Sequence, residues 1–353
     1  MRLSALLVVS ALAVQAAPDP GFLGTAYPLH AKPSFPAGLY HWIDSLAGSS
    51  VGKTKDAHRG EFLETHGRPS GEDLEHLDAF RAARLEHMRA NPGRDGALPV
   101  PRSSALLGIF CAAPTLDAAL AQAKRELSPE GFASLARALR HFGPKYESIW
   151  RDGEVPRVFL ERARRDPRRE RLADLLERMV RFYGVDIGSA PPPAIALVPV
   201  PDGFGTHAEA VGRHLLLEIR PRDDLAGQAS VIVHENAHYL WTILPDERRQ
   251  RLEKAAKDAG PPGERAWEAL HEALPTALGQ GVADREFRPD RWSSRAPWYH
   301  DADIDAYAKA LFSLVARSLA EGKPFDEEFL RLAVARYPGG TQPAEAAPHV
   351  TPR

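Results

Sequence analysis

Apolar residues recur at helical spacing through most of the first half of the chain. The spacing predicts one helix over 70–90, a second over 115–127, and a third that begins at the capping residue Ser128 and ends at Gly143. Residues 18–60 are rich in Pro, Gly and Ser and are predicted to hold little helix. In the first helix the apolar residues are Leu74, Leu77, Phe80, Leu85 and Met88.

An arginine-rich segment, 157–184, raises the question of nucleic-acid binding. Its arginines alternate with acidic residues, and an apolar stripe runs along it at helical spacing. The net charge of −2 supplies no general attraction to phosphate. We therefore interpret the segment as an amphipathic helix with a solvated basic face, and expect no nucleic-acid partner. The stripe consists of Leu172, Leu175, Leu176, Met179 and Phe182.

The pattern changes after the prolines at 191–193. Two short runs of β-type residues follow, the second at 213–221, and the chain is helical again from Asp224 to about residue 336. This order predicts an α+β fold that is mostly α-helical, with a small sheet. We expect a helical N-terminal region of unknown role over 17–190, a second region over 191–337 and a disordered tail over 338–353.

The first 16 residues have the pattern of a secretory signal peptide. Arg2 precedes an apolar run of about a dozen residues, and small residues at 14 and 16 suit a cleavage site. No later run reaches the roughly 18 apolar residues of a membrane span. Cys111 is the single cysteine, which excludes an internal disulfide. We expect export to the periplasm or the medium, without a stable membrane anchor; oligomeric state is not indicated.

The strongest chemical signal is the run HENAHYLW, which contains H-E-x-x-H as His234, Glu235 and His238. Two histidines four residues apart share one face of a helix, so both imidazoles can bind one Zn²⁺ ion. Glu235 is rotated away from that face and can reach a water bound to the metal. The flanking residues are apolar, and a buried helix rarely carries three polar groups without a function for them.

A catalytic zinc needs a third protein ligand and an open fourth position. Downstream, Glu264, Glu268 and Glu272 recur every four residues along one helix. Small residues follow Glu272 and would let this helix approach the first one closely. We choose Glu272 as the third ligand of a single Zn²⁺ ion, with Glu268 as the alternative.

These residues resemble the gluzincin zinc metallopeptidases, whose mark is H-E-x-x-H on one helix and a glutamate ligand on a later one. Val231 and the uncharged flanks fit the extended pattern of that group. The run EALPTALGQG is similar to the third-ligand helix of some bacterial members, and departs from it at Pro275. The resemblance covers roughly 190–330 and implies a zincin-like fold.

The resemblance also implies further parts of the site. An edge strand before the zinc helix would pair with an extended substrate, and 213–221 occupies that place. A donor to the oxyanion should follow the third ligand, where Tyr299 and His300 are the best placed candidates and Tyr307 is a further one. Asp303 and Asp305 would orient such a donor or a metal ligand, or else cap the helix that follows.

The predicted function is zinc-dependent hydrolysis of peptide bonds in a peptide or protein substrate. Glu235 would act as general base on the zinc-bound water, and Tyr299 or His300 would stabilise the oxyanion. Spacing alone supports a hydrolase with two His and one Glu on zinc, and the peptide substrate is implied by the resemblance. The alternative is an exported helical binding protein whose zinc site is structural or vestigial.

Overall fold

The computed structural model describes residues 27, 29–48, 54–91, 104–186, 188, 192–202 and 207–338 of the 353-residue chain. The predicted signal peptide, and the predicted tail after Pro338, lie outside the described residues. The described part is mostly α-helical with one small sheet, as an α+β fold requires. None of its helices combines the length and the apolar character that crossing a membrane demands.

The sheet has four described strands: β1 (His30–Pro33), β2 (Ala194–Pro199), β3 (Ala208–Val211) and β4 (His214–Ile219). Their order is β1-β2-β4-β3, with β1, β2 and β4 parallel and β3 antiparallel to β4. Gly212 closes the β3–β4 hairpin with φ of +57°.

The edge-strand prediction for 213–221 was wrong in one respect. That segment forms β4, but β4 pairs with β2 on one side and with β3 on the other. The edge is instead β3, a four-residue strand whose burial is mostly intermediate. The apolar run of β4 is typical of an interior strand buried on both faces, which explains why it gave the stronger sequence signal.

Both faces of the sheet are buried, because alternate side chains of its strands enter two different cores. Ala196, Val198 and Leu216 pack with the first six helices. Those helices are α1 (Phe35–Leu46), α2 (Lys55–His66), α3 (Gly71–Ala90), α4 (Ser104–Ala112), α5 (Leu116–Ala123) and α6 (Pro129–Trp150).

The opposite face carries Ile195, Leu197 and Leu215, which pack with the later helices. Because the helices between residues 154 and 183 belong to this second core, the two cores do not divide at residue 190. A 3-10 turn (Arg151–Gly153) and a π-helical segment (Ala277–Ala283) complete the described helical elements. The later helices are α7 (Glu154–Arg165), α8 (Arg169–Tyr183), α9 (Leu225–Thr242), α10 (Asp246–Asp258), α11 (Pro261–Thr276), α12 (Asp284–Phe287), α13 (Ala302–Glu321) and α14 (Glu327–Val334).

Two expectations for the N-terminal region were wrong. Helix α1 lies within 18–60, which was expected to hold little helix; it is capped by Ser34 and buried on nearly all sides, so it lacks an amphipathic pattern. Helix α6 continues beyond Pro144 to Trp150. Pro144 removes one backbone hydrogen bond from the helix, and burial of Tyr146 in the core compensates for that loss.

Other helix predictions were confirmed. The helix predicted over 70–90 is α3, and Ser128 caps α6 as expected. The structure adds that Ser70 caps α3 and forms a reciprocal capping box with Asp73. In α8 the whole predicted apolar stripe is buried.

Candidate metal centre

Helix α9 carries the two histidines. It begins at Asp224, whose carboxylate accepts a hydrogen bond of 2.8 Å from the amide of Gly227, and most of its residues are buried. Helical geometry places His234 and His238 one turn apart, and their Nε2 atoms lie 3.1 Å from each other. The sequence prediction that both imidazoles turn toward one point agrees with this geometry.

Glu272 of α11 completes a group of three. Its Oε2 atom lies 3.6 Å from Nε2 of His234 and 3.5 Å from Nε2 of His238. Ligands at about 2.0–2.1 Å from a tetrahedral Zn²⁺ ion are separated by about 3.3 Å, so the three atoms fit around one such ion. Glu268, the alternative ligand, is exposed and is not a member of this group.

The group is open to solvent on one side. The side chains of His234 and His238 are 11% and 15% exposed, whereas that of Glu272 is 40% exposed. An open position is what distinguishes catalytic zinc sites from structural ones. Glu272 therefore forms the solvent-facing side of the group.

Glu272 and His238 each shift the pKa of the other in the direction that favours its charged form. Burial opposes ionisation of Glu272, but the hydrogen bonds from His234 and His238 hold the pKa of its carboxyl well below its usual range. Burial likewise disfavours a charged His238, yet Glu272 and Glu235 raise the pKa of this imidazole above its ordinary value. A metal ion bound at Nε2 of His238 would displace the proton from that atom.

Glu235 is placed beside the group by the edge strand. Its Oε2 atom accepts a hydrogen bond of 2.9 Å from the backbone amide of Ala210 in β3. The residue is partly exposed, unlike its neighbours His234 and Asn236 on α9. The sequence did not indicate this contact, because the strand that supplies it was not the one predicted as the edge.

Tyr299 reaches the group and His300 does not. Burial, together with the nearby carboxylates of Glu272 and Glu235, raises the pKa of the Tyr299 phenol far above its ordinary value, so it remains a donor at neutral pH. His300 is exposed and stacks beside Tyr299, with 4.4 Å between ring centroids. Tyr307 is buried in the core and donates to the carbonyl oxygen of Ala333.

Asp305 holds the loop that carries Tyr299. Its Oδ1 atom accepts hydrogen bonds from the amides of Trp298, at 2.6 Å, and Tyr299, at 3.2 Å. Asp301, rather than Asp303 or Asp305, caps α13, and Asp303 lies in the first turn of that helix. Of the two aspartates considered from the sequence, Asp305 is thus the one that orients the loop.

The chain after Glu272 leaves α-helical geometry. Pro275 lies inside α11, and the π-helical segment begins two residues later. Gly279 in that segment approaches α9 closely: a Cβ atom there would lie 2.5 Å from the carbonyl oxygen of Ser230 and 3.0 Å from Cβ of His234. This contact sets the position of the helix that carries the histidines.

Two further groups surround the centre. The ring of His271 faces away from it and packs 4.7 Å from that of Trp241, and burial and the neighbouring His238 lower the pKa of His271 to about 4. The hydroxyl of Tyr27 donates to Oδ1 of Asn236 at 2.8 Å, which ties α9 to the start of β1. The Nδ1 atom of His234 is buried and has no hydrogen-bond partner among the described residues.

No family model, no curated protein and no solved structure matches this chain. The inference from site to function therefore rests on the residues and their geometry.

Proposed function

We propose that the protein is an exported zinc metallopeptidase in which His234, His238 and Glu272 bind one Zn²⁺ ion. The observation that carries this is the convergence of two imidazole nitrogens and one carboxylate oxygen, 3.1–3.6 Å apart, at an open surface. Bound there, zinc would supply a water of lowered pKa and would polarise the scissile carbonyl.

The residues around the ligands have distinct roles in this proposal. Glu235 accepts the proton of the attacking water and passes it to the leaving amine. The protonated phenol of Tyr299 donates a hydrogen bond to the oxyanion. Glu235 therefore acts on the nucleophile and the leaving group, whereas Tyr299 acts on the negative charge that develops on the carbonyl oxygen.

The substrate would bind as an extended peptide along β3. In an antiparallel ladder, alternate residues turn their backbone groups toward the partner strand. The carbonyl of His207 bonds to the amide of Glu218, so the backbone groups of Ala208 and Ala210 point away from β4. No described strand pairs with that outer side, which leaves carbonyl oxygens for a peptide in the register of a fifth strand.

The test combines metal content with hydrolysis of casein. Glu235→Gln should keep the zinc of the wild-type protein and lose hydrolysis, because the amide cannot accept the water proton. Glu272→Ala should lose one equivalent of zinc and all hydrolysis. Glu268→Ala is the matched control on the same helix, and should retain both zinc and activity.

The outcomes separate an enzyme from a binding protein. Undiminished hydrolysis by Glu235→Gln, or wild-type zinc content in Glu272→Ala, would contradict the proposal. A wild-type protein that binds zinc at this group but hydrolyses no unstructured protein would favour the alternative of a binding protein with a structural site.

A further inference from the structure

A second group of two histidines and a glutamate lies on the other face of the sheet. Glu218 of β4 alternates with Leu217 and therefore faces the first core. Its Oε1 atom lies 2.7 Å from Nε2 of His41 in α1 and 3.1 Å from Nε2 of His58 in α2. Three elements far apart in the sequence thus bring ligand-type atoms to one point.

This group is closed to solvent. The side chains of His41, His58 and Glu218 are 3%, 2% and 0% exposed. The side chains of His234, His238 and Glu272 are more exposed, at 11%, 15% and 40%. Closed sites with every position filled by protein are typical of structural rather than catalytic zinc.

The Oε1 atom of Glu218 is crowded by three groups. Besides the two imidazoles, the hydroxyl of Thr54 lies 2.7 Å from it, whereas Oε2 meets only the amide of His207, at 3.2 Å. A carboxylate oxygen has two lone pairs, so three hydrogen bonds exceed what it accepts with good geometry. Two imidazoles, a carboxylate and a hydroxyl are groups that can bind a cation, and contacts of 2.7 Å, shorter than the roughly 3.3 Å between ligands of tetrahedral Zn²⁺, would have to lengthen when the ion binds.

The charges around Glu218 also favour a bound cation. Asp44 and Glu209 both act electrostatically on His41, while Arg84 lies 2.9 Å from Asp44 and the ring of His207 stacks on that of His41. The carboxylate of Glu218 itself is fully buried. Burial of uncompensated carboxylate charge is costly, so a positive charge is needed at this point.

We propose that His41, His58 and Glu218 form a second, structural site for a divalent transition-metal ion, Zn²⁺, with the Thr54 hydroxyl within reach as a fourth ligand. The ion joins α1 and α2 to the central strand β4. This site is independent of the proposed hydrolysis. In its absence, a proton on His41 supplies the compensating charge.

A third candidate group provides a negative control. Glu72, His76 and His141 also lie close together, but the side chain of Glu72 is 70% exposed. Nε2 of His141 is 2.6 Å from Asp73, a carboxylate that also contacts the ammonium of Lys145. Because a cation is already in place and the carboxylate ligand is solvated, we expect no bound metal at this group.

The test is zinc stoichiometry on purified full-length protein, measured by elemental analysis after dialysis against zinc and then against buffer. The wild-type protein should hold two equivalents. Glu218→Gln and His58→Gln should each lose one, Glu272→Ala should lose the other, and His76→Ala should keep both. On addition of a chelator to the wild-type protein, one equivalent should leave rapidly and the buried one at least tenfold more slowly.

The chelator measurement uses the wild-type fold, so it is decisive even where a variant fails to fold. A wild-type protein that saturates at one equivalent, removed by Glu272→Ala, would overturn this inference and leave the proposed function intact. One equivalent removed by Glu218→Gln and unaffected by Glu272→Ala would support this inference and contradict the proposed function. Two equivalents of which one is lost in His76→Ala would overturn it in favour of the third group.

Discussion

The backbone amide of Ala210 donates a hydrogen bond of 2.9 Å to the carboxylate of Glu235. The proposed general base is thereby attached to the strand along which the substrate is proposed to bind. One carboxylate oxygen is held by the strand, which restricts the rotamers of the side chain. In the proposed mechanism, binding of substrate and orientation of the base would therefore be coupled through this four-residue strand.

Removal of this amide should impair catalysis without loss of metal. Ala210→Pro deletes the donor, and an edge strand tolerates proline where its amide points away from the sheet. We expect kcat to fall by about 10–100-fold, as for other partners that orient a reactive group, with zinc content unchanged. Ala208→Pro is the matched comparison: its amide also points outward toward the proposed substrate but does not contact Glu235, so this variant should raise KM and leave kcat near the wild-type value. An equal fall of kcat in both variants would contradict a specific role for the Ala210 amide.

Tyr299 should act on the transition state and not on metal binding. Tyr299→Phe removes the donor to the oxyanion, and we expect kcat to fall by about 100–1,000-fold while KM and zinc content change little. His300→Ala should remain close to the wild-type protein, because His300 is exposed beside Tyr299. Steady-state kinetics with a fluorogenic peptide would check both. A large loss in His300→Ala with little in Tyr299→Phe would reverse the assignment.

Gly279 should be required for close packing of the π-helical segment against α9, the helix that carries His234 and His238. Its added Cβ would overlap the Ser230 carbonyl oxygen, a backbone atom that cannot move aside without shifting α9. We expect Gly279→Ala to lower the free energy of unfolding by about 1–3 kcal/mol and to weaken zinc binding, since His234 is adjacent.

The control for this prediction is Gly143→Ala in the interior of α6. A Cβ at Gly143 meets no atom within 4 Å, so alanine should leave stability unchanged or raise it by up to about 1 kcal/mol through its helix propensity. Urea unfolding measures both variants. A Gly279→Ala protein as stable as the wild-type protein would show that the segment can shift at no cost.

Glu61 should make the fold less stable as pH rises. Burial, only partly opposed by Arg151, raises the pKa of its carboxyl to about 7, and its Oε2 atom has no partner among the described residues. The unfolded chain loses this proton near its ordinary pKa of about 4.3, so between that pH and about 7 deprotonation favours the unfolded state. Glu61→Gln should therefore raise stability at pH 8 by about 1–2 kcal/mol, with a smaller difference at pH 4.

Urea unfolding at several pH values would check this prediction. Glu64→Gln, on the exposed side of the same helix, should change the pH dependence far less, because Glu64 makes only a minor electrostatic contribution to the raised pKa of Glu61. A gain for Glu61→Gln that is the same at pH 4 and pH 8 would contradict a titration and indicate a packing effect.

Several features of the fold and the site follow from residues that are close together in the sequence. The helical spacing of His234 and His238, the capping residue Ser128 and the apolar stripe of α8 all depend on neighbours within about two turns. Helix geometry relates such residues directly, whatever the rest of the chain does. For this reason the paired imidazoles, and Glu235 beside them, could be inferred before any fold was known.

Other features depended on how distant elements meet. Glu272 and Glu268 were equivalent by spacing, and only the packing of α11 on α9 brings Glu272 alone to the imidazoles. The order of the strands made β3 the edge and β4 an interior strand.

His41 and Glu218 are 177 residues apart, so no local sequence pattern could predict that their side chains meet. Sequence periodicity reports which residues share a face of one element, whereas the contacts between faces follow from packing of the whole chain around its two cores.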